Sequence, residues 1–349
     1  VNFNSPPEIY EPPAKRRYWV VKADSGKYYE AFVSNSLIAI GHLDEFFGGS
    51  SFSSPFVRSP SLLRMLMTKS LADGRSYFNS NNYGQVNSFV NEMAVGDWVL
   101  TKGQRHVRVG VITSPSRIDD QIVRYKADKE DLFEREAGLS FKLRRDVLWG
   151  PEILLSNLPA DIYYSLRAPM TVYTVDQYVE SICFTLYPCF KVGETLHLSI
   201  NINKKEEISN YYLSKVFEYL NELDFLSQVD IHGDDLESAH HSFVEKGLFA
   251  LSTQASFHSP GEIWVKLVLA GKKSKMLQAV TIYSMLFGNA HMGVDGILDL
   301  ESRQELWSVL IERINMNHVE KASNELQLKM PEYDTKGIES VSVARQGND

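Results

Sequence analysis

Apolar and polar positions alternate most cleanly from Glu194 to Ile202. Leu196, Leu198, Ile200 and Ile202 fall on one face, and His197, Ser199 and Asn201 on the other. A period of two predicts a strand buried on one side. Glu262 to Leu269 repeats the pattern, with Ile263, Val265, Leu267 and Leu269 inward. Around these strands the period lengthens toward the helical value. Ser209 caps a helix that carries Leu213, Val216, Leu220 and Leu223 on one side. Further helices are predicted over Leu236–Leu251, Met276–Phe287 and Glu305–His318, the last with Leu306, Trp307, Leu310, Ile311 and Ile314 forming its apolar stripe. Residues 194–330 therefore read as an α+β domain.

The first half is built of shorter pieces. Residues 1–15 carry Pro6, Pro7, Pro12 and Pro13 and read as an irregular arm. The run Tyr18 to Val21 is β-type and is closed by Asp24-Ser25-Gly26, after which Tyr28 to Asn35 reads as a short helix and Leu37 to Gly41 as a second strand. A Gly/Ser-rich loop from Gly48 to Ser54 precedes helical patterning at Leu62, Leu63, Leu66 and Met67. A helix over Val86–Met93 leads into the Gly96-Asp97 turn, then paired strands at Trp98–Thr101 and Val107–Ile112, with more β content at Ile122–Tyr125 and Leu143–Trp149. Short strands interrupted by helices predict a small β-barrel with helical insertions. Thr174 to Gln177 has capping-box spacing and starts a helix through Ile182. The expected organisation is an arm at 1–15, a barrel domain at 16–185, the α+β domain at 194–330 and a flexible polar tail at 331–349.

Size supports two cores, since one core rarely grows past roughly 250–300 residues and the chain has 349. Charge separates the halves. Residues 1–182 hold 21 Lys+Arg and 21 Asp+Glu, so the net −8 lies wholly in the remainder. A chain-wide basic footprint for nucleic acid is excluded, leaving a local patch on the first half and an acidic second half suited to a protein partner. Cys183 and Cys189 match no zinc ribbon and fit a reducing compartment. No apolar run approaches the ~18–20 residues of a spanning helix, so the expected location is the cytoplasm, with no membrane partner.

Several pieces, in order, carry a resemblance. They are Tyr18-Trp19-Val20-Val21-Lys22, Ile38-Ala39-Ile40-Gly41, Met93-Ala94-Val95-Gly96-Asp97-Trp98-Val99-Leu100, Val109-Gly110-Val111-Ile112 and Leu143-Arg144-Arg145-Asp146-Val147-Leu148-Trp149. Over residues 16–182 the chain resembles the EVE branch of the PUA-like domains, including EVE-like modules of Mrr-type restriction proteins. It departs from them at His42, where an aromatic is usual, and in a long polar insertion at 48–85.

The resemblance implies a barrel whose mouth accepts a flat ligand, often a modified base flipped from DNA or RNA, in a bacterial restriction or anti-phage setting. Trp19 and Trp98 would then stack on the base while Lys22 and His42 contact phosphate or a base edge; plain core packing is the competing reading for both tryptophans. Arg105, Arg108, Arg144 and Arg145 are candidate phosphate contacts, since guanidinium forks match phosphate oxygens, with solvated turns and strand faces as the alternative.

The second half offers weaker chemistry. Arg313 and His318 have the bare R-x4-H spacing of HEPN ribonucleases, with Ile314 where a polar residue is usual. Gln327-Leu328-Lys329 mimics the end of the Mrr-like nuclease motif, with Asp295 or Asp299 as an upstream carboxylate. Asp230, His232, Asp234 and Asp235 cluster in sequence; carboxylates with an imidazole can hold a divalent metal, but acidic loops of this kind are commonly only solvated. No metal or other cofactor is expected. The leading expectation is a reader of a modified base or small ligand joined to an interaction domain. A nuclease centred in the second half and a protein-binding scaffold are the alternatives.

Overall fold

The computed structural model describes residues 9–44, 53–55, 80–126, 136–230, 235–256, 261–268, 273–287, 300–314 and 316–344, with isolated residues between 64 and 72. The fold is mixed α+β and divides into two units, one of residues 13–182 with 333–349, the other of residues 1–12 with 183–332.

In the first unit the strands are β1 (Tyr18–Val21), β2 (Leu37–Ile40), β3 (Ser53–Pro55), β4 (Trp98–Lys102), β5 (His106–Ile112), β6 (Arg117–Asp119), β7 (Val123–Lys126), β8 (Glu136–Leu139), β9 (Leu143–Leu154) and β10 (Val172–Thr174). They form a sheet in the order β10-β1-β4-β5-β9-β6-β3, with β2 also on β9, while β7 and β8 pair separately. Among the described residues of this unit, only the β1–β4 pairing is parallel. Curvature comes from β9. Its 12 residues pair with β5 at one end and with β2 and β6 at the other, and the β5–β9 register slips between Arg108 and Gly110. At Gly110 a Cβ would lie 2.6 Å from the side chains of Trp149 and Val147, so the bulge depends on glycine. The sheet curls into a half-barrel around Trp19, Phe32, Ile38, Phe89, Val99 and Leu143.

The tail differs from its expected flexible state. Ile338, in the short helix Lys336–Glu339, is buried against Gly150. Arg16 Nη2 donates to the Val341 carbonyl at 3.1 Å, and the Ala344 amide to the Val95 carbonyl at 2.9 Å. Apolar Ile338 supplies the anchor that the polar composition of the tail obscures.

The second unit has β11 (Cys189–Val192), β12 (Thr195–Ile202), β13 (Leu251–Ser256), β14 (Gly261–Val268) and β15 (Leu328–Lys329), antiparallel in the order β11-β12-β14-β13 with β15 on β12. The two alternating runs face each other directly, Leu198 opposite Val265 and Ile200 opposite Ile263. Helices Asn210–Gln228, Leu236–Glu245 (through Phe243), Lys273–Phe287, Leu300–Arg313 and Met316–Leu326 pack on these strands to complete the core. Contrary to the one-sided expectation, His197 and Ser199 are buried too: Phe190 stacks on His197 at 4.5 Å and Phe184 on Trp264 at 4.6 Å. From the arm, Tyr10 stacks on Tyr187 at 4.1 Å and bridges to Phe190.

Two helices end earlier than their patterns suggest. The one starting at Leu236 stops at Glu245, ahead of Gly247 at φ +60°, and the chain continues into β13. The expected Glu305–His318 helix is two, Leu300–Arg313 and Met316–Leu326, and Trp307 and Ile311 lie exposed. Among the described residues no helix is long and apolar enough to cross a membrane. Residues 48–52, Leu62, Leu63, Leu66, Met67, His232, Asp234, Asp295 and Asp299 lie outside the described residues.

Candidate functional site

Both tryptophans proposed as stacking platforms are core. Trp19 and Trp98 are each 0% exposed, on the adjacent parallel strands β1 and β4. The Trp19 indole Nε1 donates to Asp97 Oδ2 at 3.0 Å, and Trp98 packs edge-on to Tyr18 at 5.6 Å beneath the Arg16 guanidinium. Asp97 also accepts the amides of Arg17 at 3.0 Å and Ala94 at 2.9 Å. The Gly96-Asp97 motif is thus a structural staple between strands. Gly96 sits at φ +88°, and a Cβ there would meet the Ser342 carbonyl oxygen at 2.3 Å.

The arginine pair of β9 is likewise structural. Arg145 is fully buried and donates to four carbonyls, those of Phe89 (2.8 Å), Val90 (3.2 Å), Met93 (3.0 Å) and Ser114 (3.0 Å). Arg144, also buried, donates to the carbonyls of Phe141 and Gln121 and pairs with Asp119 at 3.4 Å. Arg108 donates to the Gly150 carbonyl at 3.1 Å and lies 4.0 Å from Glu152. These contacts consume the forks that a phosphate would need. Arg105 is exposed in the β4–β5 turn.

Lys22 and His42 occupy a different setting. Lys22 follows β1, and its Nζ donates to the Ala168 carbonyl; burial and then the charge of Lys102 pull its pKa down. His42 follows β2, hydrogen-bonded to Gln85, with its pKa lowered chiefly by burial. Its Nε2 is buried and has no hydrogen-bond partner among the described residues. Gln85 in turn accepts the amides of Thr171 at 2.6 Å and Val172 at 3.0 Å. The segment 168–172 therefore ties together Lys22, Gln85 and, through Gln85, His42.

Just before that segment, helix Ala160–Ser165 presents Tyr163 and Tyr164, the latter 64% exposed, with their rings edge-to-face at 5.8 Å. The exposed Arg167 lies over both rings, at 4.8 and 5.5 Å, and donates to the Tyr163 hydroxyl at 3.0 Å. That bond, and then the guanidinium charge, lower the Tyr163 pKa, with a smaller contribution from Lys102. Lys22, Lys102, Arg167, Tyr163 and Tyr164 thus form one basic–aromatic neighbourhood. Sequence reasoning missed Lys102, Gln85 and the Tyr163-Tyr164-x-x-Arg167 group. The last has a readable signal, because an arginine three and four residues after two tyrosines returns to them within one helical turn. Such a surface can stack a base and contact phosphate.

In the second unit Arg313 and His318 line the same cleft. The Arg313 fork is occupied, however: Nε and Nη2 each donate to a Glu222 carboxylate oxygen at 2.9 Å. Leu328-Lys329 is strand β15, paired with β12. Among the described residues no group of three or more His, Cys, Asp or Glu is placed to hold a metal ion. Comparison of the chain with protein-family models, with curated proteins and with solved structures finds no match.

Proposed function

We propose that the first unit is a nucleic-acid reader whose contact surface is the Lys22, Lys102, Arg167, Tyr163 and Tyr164 neighbourhood. One observation carries this reading. The partly buried Lys22 bonds the Ala168 carbonyl, next in the chain to Arg167, whose guanidinium lies over the rings of Tyr163 and the exposed Tyr164; burial first, and then the charge of Lys102, lower the Lys22 pKa. Like charges gathered against burial are relieved by a bound anion, and the adjacent ring offers the base its stacking partner. The curled sheet and the ordered EVE-like pieces support an EVE/PUA-like identity for this unit, and by analogy a role in bacterial restriction or anti-phage defence. Single-stranded or flipped nucleotides are the substrate class, because a paired base hides its π-face.

The experiment is fluorescence anisotropy of the full chain with short single-stranded DNA and RNA, with and without modified bases. The expected result is binding at low salt that Tyr164→Ala weakens by about 1–3 kcal/mol. Binding to no oligonucleotide, or binding indifferent to Tyr164, Lys102 and Arg167 together, overturns the reading.

A further inference from the structure

The sheet of the second unit runs β11-β12-β14-β13, which leaves β13 at its border. The opposite border is covered. Tyr10 of the arm bridges to Phe190 of β11 in parallel, and the Lys191 amide donates to the Tyr10 carbonyl at 2.8 Å. Among the described residues no strand pairs with the outer side of β13.

The ladder fixes which backbone groups lie on that outer side. In an antiparallel sheet, successive residues turn their amide and carbonyl toward opposite neighbours. The Ser199 amide of β12 donates to the Pro188 carbonyl on the β11 side, so Leu198 and Ile200 turn toward β14. Their partners Val265 and Ile263 turn back toward β12, which leaves Lys266 and Trp264 to bond Ser252 and Gln254 of β13. Leu251, Thr253 and Ala255 therefore turn outward. Asp224 agrees with this at the start of the strand: its buried carboxylate accepts the amides of Ala250 at 2.8 Å and Leu251 at 2.9 Å. Beyond Leu251, the amides and carbonyls of Thr253 and Ala255 have no protein partner among the described residues.

Edge strands that stay single are commonly guarded by a charge, a proline or a bulge. β13 has none of these. The run from Leu248 to Ser256 is free of charge and of proline, and β13 pairs with β14 without a slip in register. Just ahead of the strand Leu248 and Phe249 stand exposed, an apolar shoulder whose Phe249 ring is braced by Phe243 at 4.9 Å. The lack of charge also selects the partner. At a net charge of −8, two copies of this chain repel one another over most of their surface. An uncharged, unguarded strip is where they can meet without setting like charges opposite.

We propose that the second unit pairs β13 with β13 of a second copy, antiparallel across a two-fold axis at Gln254. Thr253 of each copy then lies opposite Ala255 of the other, and their free amides and carbonyls exchange about four backbone hydrogen bonds. Leu251, whose amide Asp224 holds, falls outside that exchange. The exposed Gln254 side chains meet at the axis. The two sheets join into one, running β11-β12-β14-β13 in one copy and in reverse order through the other. The contact is isologous, so it closes as a dimer. It is independent of the reader surface on the first unit.

The test is sedimentation equilibrium of the full chain. A contact this small, below about 1,200 Å², makes a weak dimer, with a Kd on the order of 10–100 µM. Thr253→Pro removes an amide that points away from β14, the setting in which an edge strand accepts proline. It is expected to abolish the dimer and to hold the melting temperature within about 3 °C. Gln254→Lys, on an exposed side chain, carries the test if the proline variant unfolds. It sets two ammonium groups face to face and weakens the dimer about fivefold at low salt, an effect that about 0.5 M salt reverses. Gln254→Cys is expected to form an interchain disulfide on mild oxidation, because facing residues of a non-hydrogen-bonded pair lie about 4.5 Å apart. The wild-type chain, with Cys183 buried and Cys189 partly so, is the control. The proposal is overturned by a monomer at every concentration up to about 300 µM, severalfold above the expected Kd. A dimer that neither Thr253→Pro nor Gln254→Lys weakens overturns it too, as does a Gln254→Cys chain that crosslinks no faster than the wild type.

Discussion

The indole of Trp19 and the carboxylate of Asp97 meet at 3.0 Å in the interior of the first unit, and that carboxylate also accepts two backbone amides. Removing the indole should therefore unfold rather than disarm. Trp19→Ala is expected to cost about 3–5 kcal/mol in chemical denaturation. Asp97→Asn, which keeps the shape but loses the charge-assisted bonds, is expected to cost about 2 kcal/mol. A Trp19→Ala protein of unchanged stability would contradict the placement.

Arg145 and Arg167 make opposite demands. Arg145→Met strands four buried carbonyls and should destabilise the first unit by at least about 3 kcal/mol. Arg167→Ala, on an exposed turn, should leave stability within about 0.5 kcal/mol and lower oligonucleotide affinity. Denaturation and anisotropy on the same two variants separate the roles.

Salt dependence measures how many phosphates the reader surface engages. With Lys22, Lys102 and Arg167 as its cations, the slope of log affinity against log salt on single strands should be about −2, roughly −0.7 per contact. Replacing Lys102 and Arg167 together by Ala leaves only Lys22 and should reduce the slope to about −0.7. A steep slope that survives this double change would place the contacts elsewhere.

Acid should weaken the first unit through His42. Burial lowers its folded pKa below the unfolded value of 6.5, so between the two the unfolded chain binds the extra proton. His42 therefore adds no penalty above pH 6.5, and stability is lost as pH falls from there through the folded pKa. Asp44, whose pKa burial raises, contributes in the opposite sense at lower pH. The melting temperature of the first-unit transition should fall between pH 7.5 and 5.5, and the fall should shrink in His42→Gln. An identical pH profile in that variant would refute the assignment.

The tail can be tested by truncation. Deleting residues 333–349 exposes the pocket that Ile338 fills and removes the carbonyl that Arg16 donates to. A loss of about 2–4 kcal/mol in the first unit is expected, read by denaturation while the second-unit transition stays in place.

The sequence was most legible where one rule acted alone. The alternation of Leu196 to Ile202 and of Ile263 to Leu267 located β12 and β14, and Ser209 sits at the N-cap position of its helix although its side chain makes no capping bond. β13 escaped because Leu251-Ser-Thr-Gln-Ala-Ser is a mostly polar edge strand that borrows its stability from β14. Periodicity also cannot say whether a strand tryptophan faces ligand or core, and Arg144 and Arg145 defeat the expectation that arginine stays outside. In the second unit the R-x4-H spacing marked two residues of the cleft. Glu222, His240 and Tyr219 join it from two other helices, a meeting that only the tertiary fold creates.

The crossing of the chain termini between units sets an order of events at the ribosome. Residues 333–344, which cover Gly96 and Gly150, emerge about 150 residues after the rest of the first unit is complete. At about 5–20 residues per second that is a wait of about 8–30 s, longer than small domains take to collapse. The first unit must therefore persist for that interval with its last seat empty, and it can be locked only after the second unit has been synthesised. A stalled or truncated chain would carry that open seat as its mark.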